Sequence, residues 1–450
     1  MSYFLKTGCG VRSELQWIVG LSASGTKRTC RLQCAMSPLR GNAEKHVLAM
    51  RFSGIDPYET SIILRRRRKP KATIGIERKR RQLNNLAGGS RMCQGVPMSW
   101  QHVRRSRFGG PEVLELAEES IIPNPGPGEV RIKVLAAGTG FTDSFIRRGR
   151  YPDFKGPLPF TPGYELVGVV EKAGSGAAVP REGQTVADLC VVGGYAQYAI
   201  RPARFLVPVP DGLDAAEAVC IPLAYLTAFQ MLTRYRRLSA GEMVLVIGAS
   251  GTVGTALLDL ARHFGLKAIG TCSAANLVAV ERFGAAAIDY RAGDFVASVR
   301  ELTAGRVGGA GVDAAFDAIG GSHFDRSFAC LAPGGILIGY GSQTMAIGRE
   351  NIIAAGLGLA RLKLWGALSF LFRGRRAIWY SITDRRLSHP EEFRADMAAL
   401  FELLRNGAIH PVVIGREPLA AAKNVHARID AGGLGGKIVL LPWPASRIAV

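Results

Sequence analysis

The segment Glu242–Gly254, EMVLVIGASGTVG, restricts the folds open to this chain more than any other stretch. The apolar run Met243–Ile247 is followed at once by Gly248, Gly251 and Gly254, with Ser250, Thr252 and Val253 between them. Val253, Ala256, Leu257, Leu260, Ala261 and Phe264 then recur at helical spacing, and Gly265 supplies a stop. Strand, glycine turn and helix in that order make the entry unit of a dinucleotide-binding fold. The small residues let the backbone approach a pyrophosphate, whose charge is favoured by the free N–H groups and dipole of the helix start. The segment therefore predicts a bound nicotinamide or flavin dinucleotide.

The texture of the chain changes on either side of this unit. Residues 1–97 show no sustained period and contain the basic runs Arg65–Lys69 and Arg78–Arg81. They hold 19 of the 57 Lys and Arg but 5 of the 36 Asp and Glu, a net of +14, against +7 for the remaining 353 residues. This segment is expected to be a disordered basic extension without enzymatic function. A targeting peptide or a nucleic-acid-binding arm are the alternatives, and the lack of regularly interleaved aromatics weakens the second. Residues 98–221 hold β-rich runs at Glu129–Ala136, Leu166–Ala173 and Tyr195–Ile200, split by Pro and Gly turns, and read as a β domain. Residues 222–382 alternate strand and helix, with strands expected at Met243–Ile247, Lys267–Thr271, Ala287–Tyr290, Val312–Asp317 and Ile336–Tyr340. That alternation predicts a doubly wound parallel sheet. Residues 383–450, with a helix over Glu391–Asn406 and a strand over Lys437–Leu441, are expected to return to the β domain.

Ile352–Phe372 is apolar and long enough to span a bilayer, but Arg361 and Lys363 sit near its centre. Each charge there costs about 2.5–3.5 kcal/mol, so a buried helix or pocket lid is expected, with membrane-surface contact as the alternative. Leu15–Leu21 is too short and interrupted for a signal peptide. The eight cysteines form no CxxC pair, and Cys190, Cys220, Cys272 and Cys330 are scattered singly. Thiols in a reducing, cytoplasmic setting follow from that pattern.

Further segments then combine: AAGTGFTDSFIRRGRYP (Ala136–Pro152), PFTPGYELVGVV (Pro159–Val170), GGYAQYAIRPA (Gly193–Ala203), PLAYLTAF (Pro222–Phe229), APGGILIGYGS (Ala332–Ser342) and GGKIVL (Gly435–Leu440). With the glycine turn, their order and spacing make residues 98–442 resemble the zinc-independent quinone oxidoreductases of the medium-chain dehydrogenase/reductase superfamily. The resemblance implies an α/β protein in which a Rossmann-type doubly wound parallel sheet packs beside a GroES-like β-rich domain. It also implies an active site in the cleft between them, and a homodimer.

No metal is expected. The zinc enzymes of that superfamily carry a cysteine where this chain has Gly140, and a histidine where it has Tyr164. The seven histidines offer no close pair, whereas catalytic zinc needs three protein ligands. Without a Lewis acid, a simple alcohol lacks its means of activation, whereas a quinone or an electron-poor C=C accepts hydride with less help.

The choice of NADP(H) rests on the end of the second strand, Thr271–Cys272–Ser273–Ala274, where no carboxylate stands to grip a ribose 2′-hydroxyl. By resemblance, Ser273, Asn276 and Tyr290 line a 2′-phosphate pocket. Asn276 departs from the Lys of many relatives, and Arg291 is placed to compensate. The resemblance further puts Thr227, Tyr340 and Gly341 near the nicotinamide, and Asp143 and Tyr151 at the mouth of the substrate cleft as catalytic candidates. Asp143 could instead cap a helix beginning at Ser144, and Tyr151 could pack at a turn. Gly140 and Phe145 replace a family Asn and Tyr and remove two hydrogen-bonding groups. Arg147, Arg148 and Arg150 read as a solvated edge. The expected reaction is hydride transfer to a quinone or an α,β-unsaturated carbonyl. An NADPH-binding regulatory protein with little turnover, or a nucleic-acid-binding protein, is the alternative.

Overall fold

The computed structural model describes residues 99–152, 154, 156–177, 180–346 and 352–444. The expectation for residues 1–97 lies outside them.

Alternating burial builds the first sheet. Strands β1 (Trp100–Arg105) and β2 (Leu114–Glu119) pair as an antiparallel ribbon. In β3 (Glu129–Gly138), Val130, Ile132 and Val134 are fully buried and alternate with half-exposed polar residues, which fixes the face turned to the core. β4 (Glu165–Ala173), β5 (Thr185–Asp188), β6 (Tyr198–Pro202) and β7 (Val207–Pro208) complete the antiparallel part, with β6 paired to β3.

The second sheet is parallel. β8 (Met243–Ile247), β9 (Lys267–Cys272), β10 (Ala286–Asp289), β11 (Val312–Asp317), β12 (Leu331–Gly339) and β13 (Arg376–Trp379) lie in the order β10-β9-β8-β11-β12-β13. Both faces are covered. Val244 and Val246 join the core cluster that contains Ala256, Leu257, Leu260 and Ala261 of the Thr252–His263 helix, while Leu245 and Ile247 join the opposite one with Phe295, Val299 and Phe324. The order reverses between β8 and β11, and a doubly wound sheet opens a crevice at that switch point. Two sequence expectations need correction. β12 starts at Leu331, five residues before the expected Ile336, and β13 is a sixth strand that the sequence reading left out.

The C-terminal segment rejoins the first sheet: β14 (Val413–Pro418) pairs with β15 (Lys437–Leu441), and β15 pairs with β3 through Val439 and Leu440. The apolar stretch forms a helix, Ile352–Ala367, and a 3₁₀ turn, Ser369–Phe372. The expectation of a buried helix holds on one side only. Leu362 is fully buried and Trp365 stacks on Phe328 at 4.5 Å, but Leu357, Leu364, Phe370 and Leu371 are exposed. Among the described residues, the helical run long and apolar enough to cross a membrane is Ala215–Thr233, and it is mostly buried in the core.

Candidate active site

A cavity of about 1740 Å³ is lined by loops of both sheets. The glycine turn supplies its floor. Gly248 has φ +71°, and Gly251 turns back so that its N–H donates to the Gly248 carbonyl at 2.9 Å. A Cβ on Gly254 would lie 2.4 Å from that same carbonyl oxygen, so only glycine lets the helix pack so close under the turn. Gly251 is the N-cap of the Thr252–His263 helix, and no side chain caps it. Its first-turn N–H groups, around Thr252, Val253 and Gly254, are therefore left for an anion. An uncapped helix start above a glycine cradle fits a pyrophosphate.

The rest of the expected set is brought to the same cavity. Thr227, Ser250, Ser273, Asn276, Tyr290, Tyr340 and Gly341 all line it, as does Tyr151. The Asn276 amide donates to Ser273 Oγ and to the Gly433 carbonyl, both at 3.4 Å, which links the β9 loop to the Gly432–Gly436 loop of the other sheet. Tyr290 is half exposed, and the Arg291 guanidinium lies 5.4 Å from its ring centroid. Arg291 also lines the cavity, so a cation stands near the end of β9, where no carboxylate follows the strand.

The opposite wall is aromatic. The Tyr151 and Tyr164 hydroxyls are 2.7 Å apart, and Phe145 meets the Tyr151 ring edge to face at 5.8 Å. The Tyr380 hydroxyl donates to Gln230 Oε1 at 2.9 Å beside Thr227. Burial pushes the Tyr340 and Tyr380 hydroxyls well above the ordinary phenol range.

Asp143 is not brought to the cavity wall. The helix starts at Phe141, not at Ser144, and Asp143 sits in its first turn, where Oδ2 accepts from the Gly140 N–H at 3.0 Å. Burial and the neighbouring Glu165 push its carboxyl up to about 7. Below it, Lys437 donates to Glu165 Oε1, and Glu165 Oε2 accepts from the Leu223 N–H at 2.8 Å. Nor is Arg147 on a solvated edge. It is fully buried, hydrogen-bonded to His426 Nδ1 at 2.8 Å and ion-paired with Asp430, because helix packing against Ala422–Ala431 closes over it. Arg148 joins the same carboxylate, and Arg150 lines the cavity.

The donors do not suit zinc. Gly140 offers no side chain and Tyr164 is engaged with Tyr151. Among the described residues, no group of three or more His, Cys, Asp or Glu could hold a metal ion.

Sequence reasoning missed several lining residues. Tyr380 and Ser381, which follow β13, are among them, whereas Gly356 and Leu359 come from the apolar helix that was expected at the pocket. The Gly432–Gly436 loop was readable from its glycines, and Gly432, Gly433 and Gly435 all have positive φ.

Comparison with known proteins agrees with this architecture. Residues 126–211 match the alcohol dehydrogenase GroES-like domain family, and residues 283–440 match a family described as zinc-binding dehydrogenase. Human quinone oxidoreductase is 30% identical over 344 residues, covering 75% of this chain and 97% of that protein. A 2-haloacrylate reductase from a Burkholderia species is 32% identical over 340 residues, covering 74% and 96%. Escherichia coli quinone oxidoreductase, solved with NADPH, superposes with a TM-score of 0.65 at 25% identity, covering 76% of this chain and all of that one. A mycobacterial protein solved with NADPH gives 0.63 at 31% identity, with coverage of 76% and 100%.

Proposed function

The chain belongs to the quinone oxidoreductase family of the medium-chain dehydrogenase/reductase superfamily, and on that premise we propose an NADPH-dependent reductase of quinones or α,β-unsaturated carbonyls that works without a protein-bound metal. The observation that carries the reading is the Tyr151–Tyr164 hydroxyl pair in the same cavity as the glycine cradle. It offers a proton donor where a metal-dependent enzyme would hold its ion.

Bound NADPH supplies the hydride. The turn Gly248–Gly254 would hold its pyrophosphate on backbone N–H groups. Ser273, Asn276 and Tyr290 would line the 2′-phosphate side, with Arg291 as its cation. Thr227, Tyr340 and Gly341, which line the same cavity, would flank the nicotinamide end. Reduction of an acceptor carbon by that hydride would leave negative charge on the acceptor oxygen. The Tyr151 hydroxyl, itself hydrogen-bonded to Tyr164, stabilises that charge and delivers the proton. Asp143 acts through the backbone by holding Gly140 and the start of its helix, so it is a positioning residue. The aromatic wall excludes water and keeps donor and acceptor aligned.

The purified protein is expected to oxidise NADPH faster than NADH with a quinone or an enone as acceptor. Tight NADPH binding with no turnover on either class would favour the regulatory alternative and overturn this proposal. Four described cysteines are buried free thiols, in keeping with a reducing compartment such as the cytoplasm. The open edge of β13 supports a homodimer paired through that strand, which light scattering on the purified protein checks.

A further inference from the structure

Behind the cavity wall at Thr227, three elements meet on a chain of buried polar side chains. Thr227 and Gln230 lie one turn apart on the Leu226–Thr233 helix, Tyr380 follows β13, and Asp396 belongs to the Pro390–Arg405 helix. All four are buried, and the partly exposed Arg234 closes the outer end. A buried amide, phenol and carboxylate are retained in a core only where each has its partner.

The direction of each hydrogen bond in this chain is forced from its outer end. The Arg234 guanidinium donates to both Asp396 oxygens, from Nη2 to Oδ1 and from Nε to Oδ2 at 3.3 Å. Neither oxygen therefore carries a proton, and both can only accept. Asp396 Oδ2 is also 2.9 Å from the Gln230 amide, which must turn its Nε2 toward it. Gln230 Oε1 then faces the other way and accepts from the Tyr380 hydroxyl at 2.9 Å. With its one proton committed there, the Tyr380 oxygen keeps only lone pairs. The Thr227 side chain hydrogen-bonds to it, necessarily as the donor. Thr227 has then committed its proton as well, and toward the cavity it lines its oxygen can only accept. A charged anchor at the far end polarises the links and holds their sense.

An acceptor of fixed sense selects an N–H partner. On the reading that places Thr227 at the nicotinamide end, on which this inference rests, the N–H there belongs to the nicotinamide carboxamide. We propose that the chain Arg234–Asp396–Gln230–Tyr380 sets Thr227 as the hydrogen-bond acceptor for the carboxamide N–H of NADPH. Thr227 is the member that touches the cofactor. Tyr380, Gln230 and Asp396 are positioning residues that act through it. The hydroxyls of the cavity then have opposite duties, Tyr151 giving a proton and Thr227 withholding one.

The reduced acetylpyridine analogue of NADPH, in which a methyl group replaces the carboxamide NH₂ and the carbonyl is kept, tests this. Isothermal titration calorimetry on the full chain gives Kd for NADPH and for the analogue. The wild type is expected to prefer NADPH by about tenfold, the worth of one such hydrogen bond. Thr227→Val keeps the shape and removes the hydroxyl, and is expected to bring the ratio close to one by weakening NADPH alone. Asp396→Asn removes the charge that fixes the Gln230 amide and is expected to cut the ratio at least threefold. Tyr380→Phe removes the oxygen that takes the Thr227 proton, and reads the same step independently of how well Asp396→Asn folds. Equal binding of the two nucleotides by the wild type overturns the proposal. So does an equal loss of both in Thr227→Val, which would mark a merely structural hydroxyl, or an unchanged ratio in Tyr380→Phe. Turnover is not part of the readout, so a tenfold preference in a protein that reduces no quinone or enone would strike only the functional reading.

Discussion

Asp143 and His426 carry opposite pH dependences within one buried layer. The Asp143 carboxyl, 2% exposed beside Glu165, is pushed up to about 7, above its unfolded value of about 3.9. Its protonated form is the stable one in the fold, so stability falls as pH rises from about 4 towards 7. Asp143→Asn keeps an acceptor for the Gly140 N–H and removes the charge. It is expected to melt at higher temperature than the wild type at pH 8, with the gain vanishing near pH 4. His426 is pushed down to about 3 by burial and by Arg147, so its contribution is lost as pH falls from about 6.5 towards 3. Arg147 donates to Nδ1 and Nε2 lies 3.2 Å from the Tyr195 hydroxyl, which leaves the ring neutral with its proton on Nε2. At the cavity, Tyr151→Phe is expected to lower kcat/KM by about 10²-fold without changing NADPH affinity. Stopped-flow turnover and a fluorescence titration separate the two effects.

Single elements tie the halves of the chain together. Lys437 on β15 and Glu165 on β4 are 3% and 1% exposed, and their pair anchors the C-terminal strand. Lys437→Met strands the Glu165 carboxylate and is expected to destabilise the protein by about 3–5 kcal/mol in denaturant unfolding. K437M/E165Q should recover much of that loss. The β9 loop shows how far the residues could be read. The missing carboxylate after Thr271 was visible in one dimension. That Asn276 reaches the Gly433 carbonyl was not, because 157 residues separate the two. Arg291→Ala is expected to raise KM for NADPH at least tenfold while KM for NADH stays level, as measured by steady-state kinetics with both cofactors. β13 escaped notice for a related reason. Four residues after an apolar insert have too little pattern to stand out, and the strand is defined by its register on β12.

At the level of the molecule, the cavity depends on polar ties between distant segments. The Tyr225 hydroxyl donates to Asp259 at 2.8 Å, and the same carboxylate accepts from the His410 N–H. Asp396 gathers Gln230 and Arg234, and Arg386 reaches Asp188. The curated relatives match about three quarters of this chain with nearly all of their own length, and both family matches fall within residues 126–440. A chain starting at Met98 is therefore expected to keep the kcat/KM and melting temperature of the full chain, which assay and calorimetry on the two proteins check.

The linear order of residues was enough for everything that depends on local spacing. A strand, three glycines and an amphipathic helix are neighbours in sequence, so their geometry and their affinity for a pyrophosphate are written within thirteen residues. The wide separation of the seven matching segments likewise carried the two-sheet architecture. Burial and long-range pairing were settled only when the chain closed on itself. Arg147 reads as a solvated cation until Ala422–Ala431 covers it. Asp143 reads as a candidate at the cleft mouth until the helix start turns it inward. The apolar helix reads as core until packing leaves one face of it bare. In each case the deciding quantity is how much water a side chain loses, and that depends on residues hundreds of positions away.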